Sequence, residues 1–446
     1  MTGTRAWHAE LAWLGDRVAA DVLIEASGDR FTTVTPGVPE AAHAVRLAGL
    51  TLPGLANAHS HTFHRALRGR VQTGGGTFWT WREQMYAIAA RLDPDTYFAM
   101  ARAVYAEMAL AGISCVGEFH YLHHRPGGAP YDEPNAMGDA LIAAAREAGI
   151  RITLLDTCYL AGGIGEPLNG PQLRFGDGSA EGWRHRVDAL RKAPHARIGA
   201  AVHSVRAVPR EQLGTVADWA RERGAPLHVH LSEQPAENEQ CLAAYGISPT
   251  RLLAEAGALG PRTVAVHATH LDEADIGLLG TTRTGVCMCP TTERDLADGI
   301  GPARDLKTAG SPISLGSDQH AVIDLFEEAR AIELNERLRT RRRGHWNAGE
   351  LLETATSQGH LALGWPEAGR LEPGGHADLV TVSLDSVRTA GGRGFAAETA
   401  VFAATSADVR EVVVSGRDVV RDGRHLLVGD VPDALTAAIA TVTGAV

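Results

Sequence analysis

The sequence predicts an α/β fold: a (β/α)8 barrel with a small β-sandwich domain assembled from both chain ends. Three observations predict it. Between about residue 50 and residue 375, short β-rich apolar runs alternate with longer helical patterns, the signature of a parallel sheet. Eight such runs occur, the number that closes a barrel of the TIM type. The chain ends carry a few short, turn-separated strands, too few on either side to make a stable sheet alone.

In chain order the barrel strands are expected at Leu50–Ala58, Ile113–Phe119, Arg151–Thr157, Arg197–His203, Pro226–Leu231, Thr263–His267, Gly285–Cys289 and Pro312–Gly316. Asp93-Pro94 opens a helix, with Asp as cap and Pro in the first turn. Gly112, Gly149 and Gly224 follow helical runs as stops, and the Ala-rich helix 134–148 ends before Gly149. Residues 1–50 and 376–446 are expected to form the composite β-domain, and 51–375 the barrel. In the β-domain, Asp21–Glu25 and Phe31–Val34 flank a Ser27-Gly28-Asp29 hairpin turn. Ala377–Val382, Glu411–Ser415 and Asp418–Val420 supply strands from the other end, and a helix over Asp433–Thr443 closes the chain. Tyr159 to Gly182 is rich in Gly, Pro and Asn and reads as a long loop on the C-terminal face, where barrel active sites are built.

Composition narrows the partners. Hydrophobic residues at 44% and charged residues at 21% describe an ordinary globular chain. A formal net charge of −11 argues against nucleic acid or an anionic membrane but leaves room for a small anionic substrate, since a few pocket arginines suffice. The basic cluster Arg339–Arg343 follows a helical stretch and reads as a solvated helix end. Five scattered cysteines are not a disulfide framework; Cys287 and Cys289 read as buried small hydrophobes. No signal peptide is evident, and no apolar run approaches the ~18 residues of a membrane span, so a cytoplasmic location is expected.

Chemistry concentrates at strand ends. His59-Ser60-His61 follows the first strand, and side chains two apart on a strand share a face. His230 ends the fifth strand, His267 the sixth, and Asp318 follows the eighth. All such ends meet at one mouth. His59, His61, His230 and Asp318 form an imidazole-and-carboxylate set suited to Zn²⁺ or a similar divalent ion. Such an ion lowers the pKa of bound water to about 7. Glu233, three residues past His230, is placed to shuttle protons, and His267 and Asp318 to hold the nucleophile and accept its proton.

On these residues the chain resembles the amidohydrolase superfamily. The matching strings are Pro53-Gly54-Leu55 before His59-Ser60-His61, His230 with Glu233, His267, Gly316-Ser317-Asp318, Gly369–Gly374 and Ala377–Val380. The pattern is similar to that of the mononuclear deaminase branch, and no lysine ends a strand to bridge two metals. Within that branch, Phe78–Glu83, Glu118–His124, Val202–Arg206 and Cys289–Glu293 resemble the N-formimino-L-glutamate deiminases of histidine degradation. The resemblance implies hydrolysis of a C=NH group to C=O with release of ammonia, one divalent ion, and a homodimer. It implies Arg82 and Arg206 as carboxylate clamps, with Tyr121 and His203 beside them. This chain has His64 where the family usually has glutamine, which can preserve the hydrogen bond or shift the substrate. A purine or other heterocycle deaminase is the alternative within the family, expected to rely on aromatic stacking and amide recognition. A catalytically silent barrel serving as a binding module is the alternative outside it.

Other conspicuous residues have quieter readings. His228 is expected in the barrel interior, His270 as an orienting residue, and His120, His123 and His124 as structural. His320 stays open between site and scaffold. Trp79 and Trp81 read as core, with a pocket wall as the other choice.

Overall fold

The computed structural model describes residues 4–39, 41–73, 75–76 and 78–444, apart from the side chains of Phe78 and Trp79, so the reading of Trp79 lies outside the described residues. Two eight-stranded sheets carry the fold. Strands β1 (Thr4–Trp13), β2 (Val18–Ser27), β3 (Arg30–Thr35) and β4 (Val45–Pro53) come from the N-terminal end. The barrel follows as β5 (Leu55–Ser60), β6 (Ile113–His120), β7 (Arg151–Cys158), β8 (Ala196–Val202), β9 (Leu227–Leu231), β10 (Thr263–His267), β11 (Gly285–Met288) and β12 (Ile313–Leu315). Strands β13 (Leu379–Val382), β14 (Val409–Val414), β15 (Arg417–Arg421) and β16 (Arg424–His425) return to the first sheet, before a closing helix Val431–Thr443.

The two chain ends join where β4 and β13 pair antiparallel, Leu379 opposite Pro53 and Val382 opposite Leu50. The hairpin at Gly28-Asp29 forms as expected, with Ser27 opposite Arg30 and Gly28 at φ 64°. The N-terminal end also supplies β1, which the sequence reading did not assign. Its alanines (Ala6, Ala9, Ala12) blur the apolar alternation that marks a strand.

One expected element is corrected. Leu50–Ala58 is not a single strand: Leu50–Pro53 belong to the terminal sheet and Leu55–Ser60 to the barrel. Gly54 is the divide. Its N–H donates to Asp378 O at 3.0 Å, and a Cβ there would lie 2.4 Å from Ser114 Oγ. Only glycine fits between the two layers. The apolar run is continuous because both strands are buried, so composition alone hides the break.

The barrel sheet is parallel throughout, from β5 to β12. Its ends meet at an isolated parallel bridge between Ser60 and Asp318. There His61 N–H donates to Asp318 O at 3.1 Å and Asp318 N–H to His59 O at 3.0 Å. The seam that closes the barrel therefore fixes the backbone of three predicted ligands.

The Gly-rich segment after β7 is more ordered than a loop. It contains a 3-10 turn, Gly170–Phe175, and leads into a helix from Ala180 capped by Ser179. Buried Arg174 holds it, donating to His124 O at 3.0 Å, Leu92 O at 2.9 Å and Ala89 O. The helix Pro94–Leu110 has the expected Asp93 cap in a full capping box, and Gly149 and Gly224 end their helices in left-handed conformation. All five cysteines are buried and unpaired with one another. Among the described residues, no helix is long and apolar enough to cross a membrane.

Candidate active site

Strand geometry delivers the four predicted ligands to one point. His59 Nε2 lies 3.1 Å from His230 Nε2 and 3.3 Å from Asp318 Oδ1; His61 Nε2 lies 3.4 Å from His230 Nε2 and 3.5 Å from Asp318 Oδ1. All four side chains are buried. The tautomers follow from the outer nitrogens. His61 Nδ1 donates to Phe119 O at 3.0 Å and His230 Nδ1 to His203 O at 2.9 Å, since a carbonyl can only accept. Burial holds both rings well below the usual imidazole pKa, so each is neutral. Their Nε2 atoms then present bare lone pairs to one another with no proton between them.

Such an arrangement is repulsive unless a cation stands at its centre. Donors sharing one divalent ion through bonds of ~2.0–2.1 Å lie about 3 Å apart, close to the separations here. Carbonyl acceptors behind ligating imidazoles are also the usual means of orienting them. The donor set therefore fits one divalent ion.

Beside the donors stand Glu233 and His267. His267 Nε2 is 3.8 Å from Glu233 Oε1 and 3.8 Å from Asp318 Oδ2, and its Nδ1 is 3.5 Å from Glu293 Oε1. These are ion-pair separations rather than formed hydrogen bonds. Burial pulls the His267 pKa down, but the carboxylates of Glu233, Glu293 and Asp318 outweigh it and hold the ring well above its ordinary value. Burial, with Asp318 and Glu237, pushes the Glu233 carboxyl up against the pull of His267 and Arg206. Burial would also raise Asp318, yet the hydrogen bond and charge of His59, then His267, hold it far below the carboxylate range. Ser232, His267, Ala268, Asp318 and His320 all sit at φ between 43° and 68° without being glycine. Backbone strain of this kind gathers at functional sites.

A pocket of about 600 Å³ opens above this floor. Arg82, Tyr121, His203, Arg206 and His64 line it, together with His61, His230, Glu233, His267 and Asp318. His59 lies just beneath, fully buried. The structure thus brings every predicted site residue to one place. Tyr121 Oη is 3.1 Å from His64 Nε2, and burial takes the His64 pKa down to about 3. Arg82 stacks 5.7 Å above the Tyr86 ring. Burial lowers the Arg206 pKa, but Glu237 and Glu233 more than compensate and raise it.

The remaining histidines sort as follows. His228 donates to Ala362 O at 3.0 Å inside the barrel. His320 bridges Ser60 Oγ (3.1 Å) and Ser317 Oγ (2.9 Å), a scaffold role beneath Asp318. His270 works through its backbone, donating to Ser232 O at 3.0 Å and accepting from Asn238 Nδ2 at 2.6 Å. His120, His123 and His124 stay outside the pocket lining. Trp81 is both buried core, as expected, and a pocket wall beside Tyr86, Tyr159 and Phe175. Two buried acids, Glu237 and Glu293, were not assigned from sequence. Each lies in the first turn of a helix, where acidic residues are common for reasons of dipole alone.

Comparison with known proteins gives the family. The amidohydrolase family model matches residues 50–419. A formimidoylglutamate deiminase of Pseudomonas aeruginosa is 37% identical over 435 residues, covering 94% of this chain and 95% of its own. A 5-methylthioadenosine/S-adenosylhomocysteine deaminase of Pelotomaculum thermopropionicum is 30% identical, covering 92% of this chain and 91% of its own. The crystal structure of an amidohydrolase from Brucella melitensis superposes with a TM-score of 0.89 at 32% identity, covering 98% of this chain and 100% of its own. With the family model spanning most of the sequence and the barrel, donor set and pocket in place, the chain belongs to the amidohydrolase family.

Proposed function

We propose that this protein hydrolyses N-formimino-L-glutamate to N-formyl-L-glutamate and ammonia with one divalent ion, zinc being well matched to imidazole and carboxylate donors. The observation that carries the reading is the pair of guanidinium groups, Arg82 and Arg206, lining the same pocket as the donor set and Glu233. A dicarboxylate substrate needs two such groups, because guanidinium matches carboxylate bidentately. The 37% identity to a formimidoylglutamate deiminase supports the same substrate.

His59, His61, His230 and Asp318 would hold the ion. Bound there, it supplies Lewis acidity and makes water acidic enough to attack near neutral pH. Arg82 and Arg206 hold the two carboxylates, with Tyr121, His203 and His64 fixing the substrate between them. Glu233 takes a proton from the attacking water and gives it to the formimino nitrogen. His267, protonated by its ring of carboxylates, donates toward the attacking oxygen. The formimino group binds protonated, so the Glu233 proton completes NH3 as the leaving group, and Asp318 takes the hydroxyl proton as the carbonyl forms. We carry forward a cytoplasmic homodimer as part of this proposal.

A second reading has its own observation. Trp81, Tyr86, Tyr121, Tyr159 and Phe175 could stack a heterocycle, as a purine deaminase would require. Zinc-loaded protein offered N-formimino-L-glutamate and a panel of purines separates the two. Ammonia and N-formyl-L-glutamate from the first compound are expected. Ammonia from a purine alone would replace the proposal, and no turnover of either would end it.

A further inference from the structure

Glu237 is buried and takes no step in the chemistry proposed above. It sits in the first turn of the helix Pro235–Tyr245, its backbone N–H donating to Gln234 O at 3.0 Å. Its side chain is fully enclosed. One carboxylate oxygen, Oε2, accepts from Arg206 Nε at 2.9 Å. The other, Oε1, accepts from the backbone N–H of Ser232 at 3.0 Å. Ser232 is the residue before Glu233 and is held at φ 50°, where L side chains are rare.

One carboxylate therefore touches two parts of the pocket. By taking Arg206 Nε, it aims the guanidinium and leaves the paired Nη groups as the edge that can accept a carboxylate end-on. By taking Ser232 N–H, it holds the strained turn that sets the direction of Glu233. A residue bonded to both a substrate clamp and the turn of a proton carrier transmits displacement of one to the other, because a buried carboxylate cannot release either donor without leaving it unsatisfied.

We infer that Glu237 is a positioning residue that couples carboxylate recognition by Arg206 to the placement of Glu233. The inference rests on the proposed function for the identity of the bound carboxylate. It predicts that Arg206 matters even for a substrate with no carboxylate at that position. A pure clamp would be silent there, whereas a residue that braces Glu237 would not.

The test compares wild type, Glu237→Gln, Glu237→Asp and Arg206→Gln, all zinc-loaded, on N-formimino-L-glutamate and on its analogues lacking either carboxylate. Glutamine has one acceptor for two donors, so Glu237→Gln should lose about ten- to a hundredfold in kcat/KM on the full substrate, divided between a higher KM and a lower kcat. Glu237→Asp should recover part of the loss. On the analogue that lacks the Arg206 partner, whose wild-type KM is already high, Arg206→Gln should still lower kcat severalfold. Zinc content and melting temperature report whether each variant is folded. Unchanged kcat for Arg206→Gln on that analogue overturns the coupling even if Glu237→Gln fails to fold. So does a folded Glu237→Gln within about twofold of wild type in kcat and KM. Absence of wild-type turnover would instead remove the functional reading, and this inference with it.

Discussion

Buried histidine and aspartate gather in two places at the barrel mouth among the described residues: three overlapping groups built on His59, His61, His230 and Asp318 with His64 and His267, and a separate group of His120, His123 and Asp156. By residue type and spacing both could hold a metal. They differ in where the positive charge comes from. Asp156 accepts from Arg186 Nη1 at 2.9 Å, Arg186 Nη2 at 2.8 Å and Trp183 Nε1 at 2.9 Å. Arg186 also bonds Asp177 at 2.8 and 3.0 Å, and His123 donates to Thr157 O at 2.9 Å. A guanidinium already bonds both oxygens of the carboxylate a metal would need. Around Asp318 the charged partners are imidazoles alone, among the described residues, and burial keeps those of His61 and His230 neutral. His267 stands protonated 3.8 Å from Asp318 Oδ2, but no guanidinium bonds this carboxylate among the described residues, and Oδ1 still faces His59 and His61.

The largest effect should come from breaking the first group. His230→Ala or Asp318→Asn should abolish stoichiometric zinc binding and cut ammonia release on the order of a thousandfold or more. His123→Ala should keep one zinc per chain and most of the activity. Metal analysis beside an ammonia assay checks both. Zinc lost equally from the His123 variant would erase the distinction between the two groups.

Breaking the second group should cost stability instead of chemistry. Arg186→Met leaves the Asp156 and Asp177 carboxylates buried without their cation. The expected penalty is about 3–5 kcal/mol, read by urea denaturation. Protein that remains folded should bind one zinc and turn over at close to the wild-type rate. A second zinc in this variant would show that the guanidinium excludes a metal from a competent site.

Another buried histidine sharpens the point with neither metal nor carboxylate. His360 donates to Gly54 O at 3.1 Å, at the divide between the two sheets, and burial lowers its pKa to about 3. Unfolded histidine titrates near 6.5. Below that pH the unfolded chain takes up a proton the folded chain refuses, so stability is lost as pH falls from about 6.5 toward about 3. His360→Gln keeps a donor for Gly54 O and removes the titration. Its stability should fall less steeply over that range, by up to about 1.4 kcal/mol per pH unit. An identical slope in wild type and variant would show that His360 is solvated.

The same contrast explains what was legible in the sequence. His59, His61, His230, Glu233, His267 and Asp318 each end a strand or follow one closely, and a parallel barrel gathers strand ends, so position implied meeting. Tyr121 and His203 also stand at or just past predicted strand ends, but their roles, with those of Arg82 and Arg206, were reached through resemblance. Glu237 and Glu293 escaped both routes, because an acid in a helix's first turn needs no functional reason. The break at Gly54 escaped because two consecutive buried strands read as one apolar run. The guanidinium of Arg186 is 30 residues from Asp156 in sequence, and nothing local announces the pairing.

The smallest effect concerns the family's missing glutamine. His64 offers Nε2 to Tyr121 Oη at 3.1 Å, while its Nδ1 is buried without a partner. With the ring neutral, His64 contributes hydrogen bonding and shape to the pocket but no charge. A glutamine amide of similar reach supplies the same kind of donor and acceptor. His64→Gln should therefore alter KM for N-formimino-L-glutamate by less than about tenfold and leave kcat nearly unchanged, since one neutral hydrogen bond is worth ~0.5–1.5 kcal/mol. A gain of activity on a different imino substrate, with loss on this one in wild type, would instead make His64 the residue that sets specificity. Steady-state kinetics of the single variant on both compounds decides between them.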